Sequence, residues 1–170
     1  MSGEGARLFV VMLGGRHARA HVEVHDVVFA VGATLADTHA QLRAQWFGAP
    51  RGLHIDSWLE VDGVEDWQVR VADTPAPAGG PRLFFVNLGG YAPGVFGEAH
   101  RYRLVVAADA DEAKRKGKAQ ADARWFKPHK DALLEVDDCL PITAAGGRHI
   151  HLSAGPHAGI RQGSDYLVLA

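Results

Sequence analysis

Two short patterns of histidine and carboxylate residues are the part of this sequence best suited to chemistry. They read Glu23-x-His25 and His54-x-Asp56. Because successive side chains of a strand point to opposite faces, each pattern places its imidazole and its carboxylate on one face. If the second and third strands are neighbours, the two imidazoles and two carboxylates form one ligand set for zinc, iron(II) or manganese, so a divalent metal is the candidate cofactor. An open coordination position would allow hydrolysis or oxygen chemistry.

The same pattern recurs in the second half of the chain. Glu98-x-His100 follows the first pair by 75 residues, and His129-x-Asp131 follows the second pair by the same spacing. We therefore predict a second set of metal ligands there. Two other interpretations stay open at both places: structural hydrogen bonds between histidine and carboxylate that the fold itself requires, and acid–base catalysis.

A second candidate site is the loop that follows Gly14 and Gly15. Its charged and aromatic side chains are Arg16, His17, Arg19 and His21. Exposed backbone N–H groups beside two arginines suit a phosphate or a carboxylate, which predicts a small anionic ligand. The corresponding loop of the second half, residues 91–96, carries none of these charges, and a segment that differs between two copies is freer to carry function. The alternative is a solvated hairpin loop without a binding role.

The sequence segments that we expect to position these residues occur twice in the chain. Arg7–Gly15 and Arg82–Gly90 differ at only two positions, and the residues after each stretch also correspond. An apolar run that stops at a glycine pair indicates a buried strand. Thr34 and Asp37 have the spacing of a capping box at a helix start. The elements predicted for the first half are strands at residues 8–13, 21–31, 53–61 and 67–71, with a helix at residues 35–47.

These patterns predict an α+β fold with mostly antiparallel sheet, built from two tandem β-β-α-β-β repeats related by a pseudo-twofold. The predicted units are residues 1–75 and residues 76–170, the second with an extra C-terminal strand. A linker rich in proline and glycine, residues 74–80, separates them. On the third strand, strict alternation would place His54, Asp56 and Trp58 on one face.

Composition and charge narrow the classes of function. The formal net charge of −2 does not favour a polyanion-binding protein, and acidic residues flank the basic run at residues 114–118, so nucleic acid is not expected as a partner. The only cysteine is Cys139, which excludes an intramolecular disulfide and a cysteine-based zinc site. Without a signal-peptide pattern or a long apolar run, we expect a cytoplasmic protein without a membrane span. Richness in alanine, glycine and arginine suggests a bacterial source.

The repeated Leu-Gly-Gly stretch, the Glu-Val-His-Asp sequence at residues 23–26 and the helix-ending Trp46-Phe47 together resemble a bacterial family, domain-of-unknown-function family 1543. The resemblance covers residues 7–64, and residues 82–142 more loosely because Arg101 stands where the first half has Asp26. It implies one or two copies of the domain and leaves the activity open.

Three functions follow as hypotheses. The first is a binding module that holds a small anionic ligand or a protein partner, which includes a homo-oligomer of this chain. The second is a small metal-dependent enzyme that uses the two histidine–carboxylate patterns. The third is a structural or interaction protein without a small-molecule site.

Overall fold

The computed structural model describes residues 5–120 and 135–169. Its strands and helices confirm the predicted α+β class with antiparallel sheets. The elements are β1 (Arg7–Gly15), β2 (Val24–Gly32), a 3₁₀ turn (Ala36–Thr38), α1 (His39–Gln45), β3 (His54–Val61), β4 (Gly63–Val64), β5 (Trp67–Ala72), β6 (Arg82–Gly90), β7 (Ala99–Ala107), α2 (Ala110–Ala119), β8 (Glu135–Pro141), β9 (Ala144–Ala145), β10 (Arg148–Ala154), β11 (Ile160–Gly163) and β12 (Leu167–Val168). No helix in these described ranges is long and apolar enough to cross a membrane.

The chain forms two compact units, and the C-terminal residues belong to the first. Unit 1 contains the residues up to Ala76 and those from Ala144 onward, and unit 2 is Pro77–Thr143. The end of the chain joins unit 1 because β10 pairs with β5 while β11 and β12 pair with β3. Leu169, only 2% exposed, completes the core there. Residues 76–170, the predicted second repeat unit, are therefore divided between the two compact units.

Unit 1 is built on a sheet in the order β11-β3-β1-β2, with β12 also pairing with β3. The central strand β1 is a continuous apolar run because both of its faces are buried. Phe9, Val11 and Leu13 face a core that α1 covers with Leu42. A second antiparallel sheet of unit 1 has the order β4-β5-β10-β9.

Unit 2 contains a smaller antiparallel sheet with one described helix against it. Its sheet has the order β7-β6-β8, and Phe84, Val86 and Leu88 of β6 face α2. Asp109 begins α2 by accepting a hydrogen bond from the Glu112 backbone N–H (2.8 Å), which satisfies one of the free donors of a helix start.

Three predicted elements need correction or fall outside the described ranges. The second strand begins at Val24, so His21 and Glu23 precede it instead of lying within it. The first helix is a 3₁₀ turn followed by the short α1, although Thr34 does form the predicted capping box, in which its N–H and its hydroxyl each lie 2.8 Å from Asp37 Oδ2. The predicted end of the second helix lies outside the described residues, as do the predicted ligands His129 and Asp131.

A β-bulge in β3 breaks the predicted alternation. Leu13 of β1 pairs with Ile55 and Met12 pairs with Ser57, so Asp56 has no partner on β1. An unpaired extra residue of this kind bends the strand and re-aims its side chains. As a result Trp58 packs into the core against Phe9, with ring centroids 6.5 Å apart. The prediction that Trp58 shares a face with Asp56 is therefore wrong.

Candidate metal centre

The centre of the site is a row of three residues across the main sheet of unit 1. Gly14 of β1 pairs with His25 of β2 on one side and with His54 of β3 on the other. Since neighbouring strands lie about 4.8 Å apart, the two histidine Cα atoms are separated by about 10 Å. The middle residue has no side chain, so the two imidazoles can converge above it.

Two carboxylates complete the group. Asp56 is the bulged residue of β3, and Glu23 immediately precedes β2. Each imidazole Nε2 approaches both carboxylates: the distances are 3.0 Å for His25–Asp56, 3.8 Å for His25–Glu23, 2.9 Å for His54–Glu23 and 3.2 Å for His54–Asp56. The structure thus brings together all four residues of the first predicted ligand set. We call these four residues the histidine–carboxylate cluster.

His54 is the most constrained member of the cluster. Its ring is buried, with 3% exposure, and packs against the tilted ring of Tyr166 with centroids 4.3 Å apart. Its Nδ1 lies 2.9 Å from the carbonyl oxygen of Gly52. A carbonyl oxygen can only accept, so Nδ1 carries the hydrogen and Nε2 of a neutral ring presents a lone pair. That lone pair faces two carboxylate oxygens, an arrangement that requires either a second proton on the ring or a bound cation.

The backbone beneath the cluster leaves no room for a side chain. A Cβ added at Gly14 would lie 2.6 Å from His54 Nε2 and 2.7 Å from Asp56 Oδ2. The following Gly15 is equally restricted, since its Cβ would lie 2.8 Å from the Trp46 ring at the end of α1. Both glycines of the repeated Leu-Gly-Gly stretch therefore serve close approach, the first to the cluster and the second to the helix end.

Most of the histidine–carboxylate distances within the cluster resemble those between neighbouring ligands of one ion. Nitrogen and carboxylate oxygen ligands lie about 2.0–2.2 Å from zinc, which places neighbouring ligand atoms about 2.8–3.6 Å apart in tetrahedral or octahedral geometry. Three of the four histidine–carboxylate distances fall in this range, and the fourth, His25–Glu23, is 3.8 Å. Among the described residues, however, the group whose ligand atoms all lie within 4.8 Å of one another is in unit 2, so the side chains of the unit 1 cluster would have to draw closer to share one ion. The ligand set contains nitrogen and oxygen without sulfur, which suits zinc, iron(II) or manganese.

Unit 2 carries a related but altered cluster. Gly89 of β6 pairs with His100 and with Glu135, so a glutamate occupies the position that His54 has in unit 1. Glu98, His100 and Asp137 each offer a ligand atom within 4.8 Å of the others, and all three residues are exposed. Asp137 lies at the bulge of β8, since Leu88 pairs with Val136 and Asn87 with Asp138.

Asp137 is therefore the residue of unit 2 that corresponds to Asp56, whereas the sequence pattern predicts Asp131 for that position. Between β3 and β8 the spacing is 81 residues instead of 75, as the pairing of Gly14 with His54 and of Gly89 with Glu135 demonstrates. A sequence signal for this register exists in residues 53–56, Leu-His-Ile-Asp, which match residues 134–137, Leu-Glu-Val-Asp. The apolar residues at the first and third positions of each stretch indicate the correct register, whereas the match between the His-x-Asp patterns does not.

The predicted anion site after β1 is arranged differently from expectation. Gly14 and Gly15 are buried strand residues paired within the sheet, so the prediction that they form an exposed anion-binding turn is wrong. His17 packs against Phe47, with ring centroids 5.8 Å apart, and its Nδ1 accepts a hydrogen bond from the Arg19 backbone N–H (3.2 Å). The remaining predicted residues, Arg16, Arg19 and His21, are exposed.

Comparison with known proteins identifies the fold and leaves the activity open. The crystal structure of protein Il1583 from Idiomarina loihiensis is similar over 97% of this chain and 99% of that chain, with a TM-score of 0.73 and 24% sequence identity. No curated protein matches this chain. Residues 20–71 match the family model described as Domain of Unknown Function (DUF1543), which supports the family resemblance over the segment that contains Glu23, His25, His54 and Asp56.

Proposed function

We propose that this protein binds a divalent transition-metal ion at the histidine–carboxylate cluster and uses that ion at a solvent-accessible site, as metal-dependent enzymes do. The observation that carries the proposal is His54. Its Nδ1–H is fixed by the Gly52 carbonyl, and its Nε2 points at Glu23 and Asp56. A histidine that ligates a metal donates its other ring N–H to a carbonyl or carboxylate in this way.

The charge of the cluster supports a divalent ion. With both imidazoles neutral, Glu23 and Asp56 carry two negative charges beside a buried ring, and one divalent cation neutralises them. The competing explanation is a proton on each ring, which would turn the cluster into a hydrogen-bonded network without metal. The two explanations differ in a measurable way, because only the first predicts that a metal binds with fixed stoichiometry.

The accessibility of the cluster favours chemistry over a purely structural role. The His25 side chain is 47% exposed, that of Glu23 38% and that of Asp56 30%. Structural zinc sites are closed by four protein ligands, whereas catalytic sites keep a position for water or substrate. A metal held here would act as a Lewis acid toward a substrate oxygen or would lower the pKa of bound water. Hydrolysis of a small polar substrate is the reaction class that this ligand set fits best.

The test is a metal-binding titration on protein purified without a His tag. We expect the wild-type chain to bind about one zinc or manganese ion tightly enough to compete with a chromophoric chelator. The Glu23→Gln/Asp56→Asn double variant keeps the side-chain shapes and removes both charges, so it should lose this binding. Asp26→Asn is the matched control, because Asp26 is exposed on β2 and its carboxylate accepts a hydrogen bond from the Val27 backbone N–H.

Two outcomes would overturn the proposal. One is a wild-type chain that takes up no metal with fixed stoichiometry. The other is a double variant that binds as tightly as the wild-type chain, since the ten histidines of the sequence could then bind zinc elsewhere. If Asp26→Asn lost metal binding to the same extent, the binding would depend on the overall negative charge of the surface and not on the four residues of the cluster.

We also infer that the chain is an internal duplication and that the second copy holds metal more weakly. Both halves share the glycine row and the bulged aspartate, and β5 pairs with its counterpart β10 in one sheet, as expected for a pseudo-twofold. Unit 2 has Glu135 where unit 1 has the buried His54, and its ligands are exposed. Glu135→His should therefore increase the zinc affinity of unit 2, and an unchanged affinity would contradict the equivalence of the two rows.

A further inference from the structure

A cavity of about 470 Å³ lies in unit 1, on the other side of β3 from the cluster. Successive residues of the chain point to opposite sides at this place: His54 faces the cluster, while Leu53 faces the core below α1. Leu53 and Leu169, each 2% exposed, form the apolar floor of the cavity, and Trp46 and Pro50 form its wall. The volume falls within the range of small-molecule binding sites.

Two arginines line the same cavity. Arg43 belongs to the last turn of α1, and Arg51 lies in the loop between α1 and β3. In the part of the chain that the structure describes, neither guanidinium forms an ion pair with a carboxylate. Burial lowers the pKa of His39, and the nearby positive charge of Arg43 lowers it further. The cavity therefore combines an apolar floor with two guanidinium groups that pair with no carboxylate of the described residues.

One of the two guanidinium groups is already held in place. The Arg43 Nε–H donates a hydrogen bond to the Leu169 carbonyl (2.7 Å). A guanidinium has five N–H donors, so the two terminal nitrogens remain available for a ligand. Fixing the group through its Nε lowers the conformational entropy that a ligand would otherwise have to remove.

We propose that this cavity is a binding site for a small organic anion with a flat apolar body, such as an aromatic carboxylate or an aromatic phosphate monoester. The planar guanidinium groups bind carboxylate or phosphate oxygens in pairs, and Trp46, Leu53 and Leu169 bury the apolar body. A neutral apolar ligand would leave the positive charges unmatched. Inorganic phosphate would match the charges but leave the apolar floor exposed to water.

The test compares four probes on the full chain: benzoate, phenyl phosphate, inorganic phosphate and benzyl alcohol. Binding is followed by NMR through the indole N–H of Trp46, which donates to the Ala49 carbonyl at the rim of the cavity (3.0 Å) and can be assigned with Trp46→Phe among the four tryptophans. We expect benzoate and phenyl phosphate to bind with Kd values of about 1 mM or below, the affinity that their size allows. Inorganic phosphate and benzyl alcohol should bind at least about 10-fold more weakly.

A pair of charge-matched variants separates this site from the arginine loop after β1. Arg43→Met/Arg51→Met keeps the aliphatic stems and should weaken both aromatic anions at least about 10-fold. Arg16→Met/Arg19→Met removes the same charge from the exposed loop and should leave both affinities unchanged. Thermal melts of both variants verify that the chain remains folded. Because the cavity and the cluster lie on opposite sides of β3, the titration gives the same answer with the Glu23→Gln/Asp56→Asn variant, so this proposal and the metal proposal fail separately.

Three results would overturn the inference. The first is no shift of the Trp46 signal with either aromatic anion at 10-fold above the expected Kd. The second is equal weakening by the two double-arginine variants, which would indicate long-range charge attraction. The third is inorganic phosphate binding as tightly as phenyl phosphate, which would mean that the apolar floor contributes nothing.

Discussion

Gly14→Ala is the sharpest single test of how the cluster is built. The new methyl group would lie 2.6 Å from His54 Nε2, 2.7 Å from Asp56 Oδ2 and 3.2 Å from Glu23 Oε1. Ordinary van der Waals contact begins at 3.4 Å, so the nearest ligand atom must move by about 0.8 Å. Metal sites tolerate deviations of about 0.2 Å in ligand distance. The required shift is therefore about four times what the site can absorb.

The cost to folding should be much smaller than the cost to the site. Glu23 and Asp56 are partly exposed and can swing away, and alanine is favoured over glycine within a strand by about 0.5–1 kcal/mol. Against this stands a repacking cost of about 1–3 kcal/mol for the buried His54 ring. The net loss of unfolding free energy should stay within about 2.5 kcal/mol, whereas metal affinity should fall at least about 10–100-fold.

The assay pairs a chelator-competition titration with a calorimetric melt of the same samples. Gly80→Ala is the matched control, because a Cβ at that linker position meets no atom within 4 Å. If Gly14→Ala binds zinc as tightly as the wild-type chain, the ions are not held above Gly14 and the proposed geometry is wrong. If the variant loses metal only because it unfolds, the melt will reveal it, and the argument about clearance would then be contradicted.

Three further outcomes follow from local features. Asp109→Ala should lower the unfolding free energy by about 1 kcal/mol in urea titrations, because it leaves the Glu112 N–H at the start of α2 without its cap. Burial, and then Arg43, lower the pKa of His39 below its ordinary value of 6.5, so the unfolded state binds more protons and the unfolding free energy falls as the pH drops below 6.5. His39→Gln should therefore flatten the dependence of the urea midpoint on pH between pH 7 and pH 5. An unchanged slope of that dependence would refute this. Burial raises the pKa of the Cys139 thiol, so iodoacetamide at pH 8 should alkylate it more slowly than a small free thiol; equal rates would contradict the assignment.

The sequence predicted the parts of this molecule that depend on local patterns. Apolar runs ending at glycine pairs located β1 and β6, and the spacing of Thr34 and Asp37 located the start of the first helical segment. The pairing of histidine with carboxylate in each pattern also indicated that Glu23, His25, His54 and Asp56 could converge, although β1 lies between the two strands that the prediction makes neighbours. These features are set by neighbouring residues, which is why a single sequence contains them.

Features that depend on pairing between distant strands could not be predicted in the same way. The bulge at Asp56 is a property of two strands together, and nothing in β3 alone indicates where alternation is interrupted. The same holds for the C-terminal residues, which pair with β3 and β5 instead of with unit 2. The raised pKa of the Cys139 thiol is another tertiary property, because burial is its main cause.

The two units share the bulge and differ at the residue that pairs with the glycine of the central strand. A bulged aspartate and a glycine in the central strand are needed together, since Asp56 and Asp137 can reach the cluster only if Gly14 and Gly89 leave space beneath them. These residues are accordingly present in both units. The position of His54 is under no such steric constraint, because Glu135 fits the same place beside Gly89. A change from histidine to glutamate there would remove a neutral nitrogen ligand of the proposed site and add a negative charge, so we expect it to alter metal affinity while leaving the strand pairing intact. The glycine and the bulged aspartate are thus set by steric fit within the sheet, whereas the residue that pairs with the glycine is the one whose side chain the proposed metal site would require to be histidine.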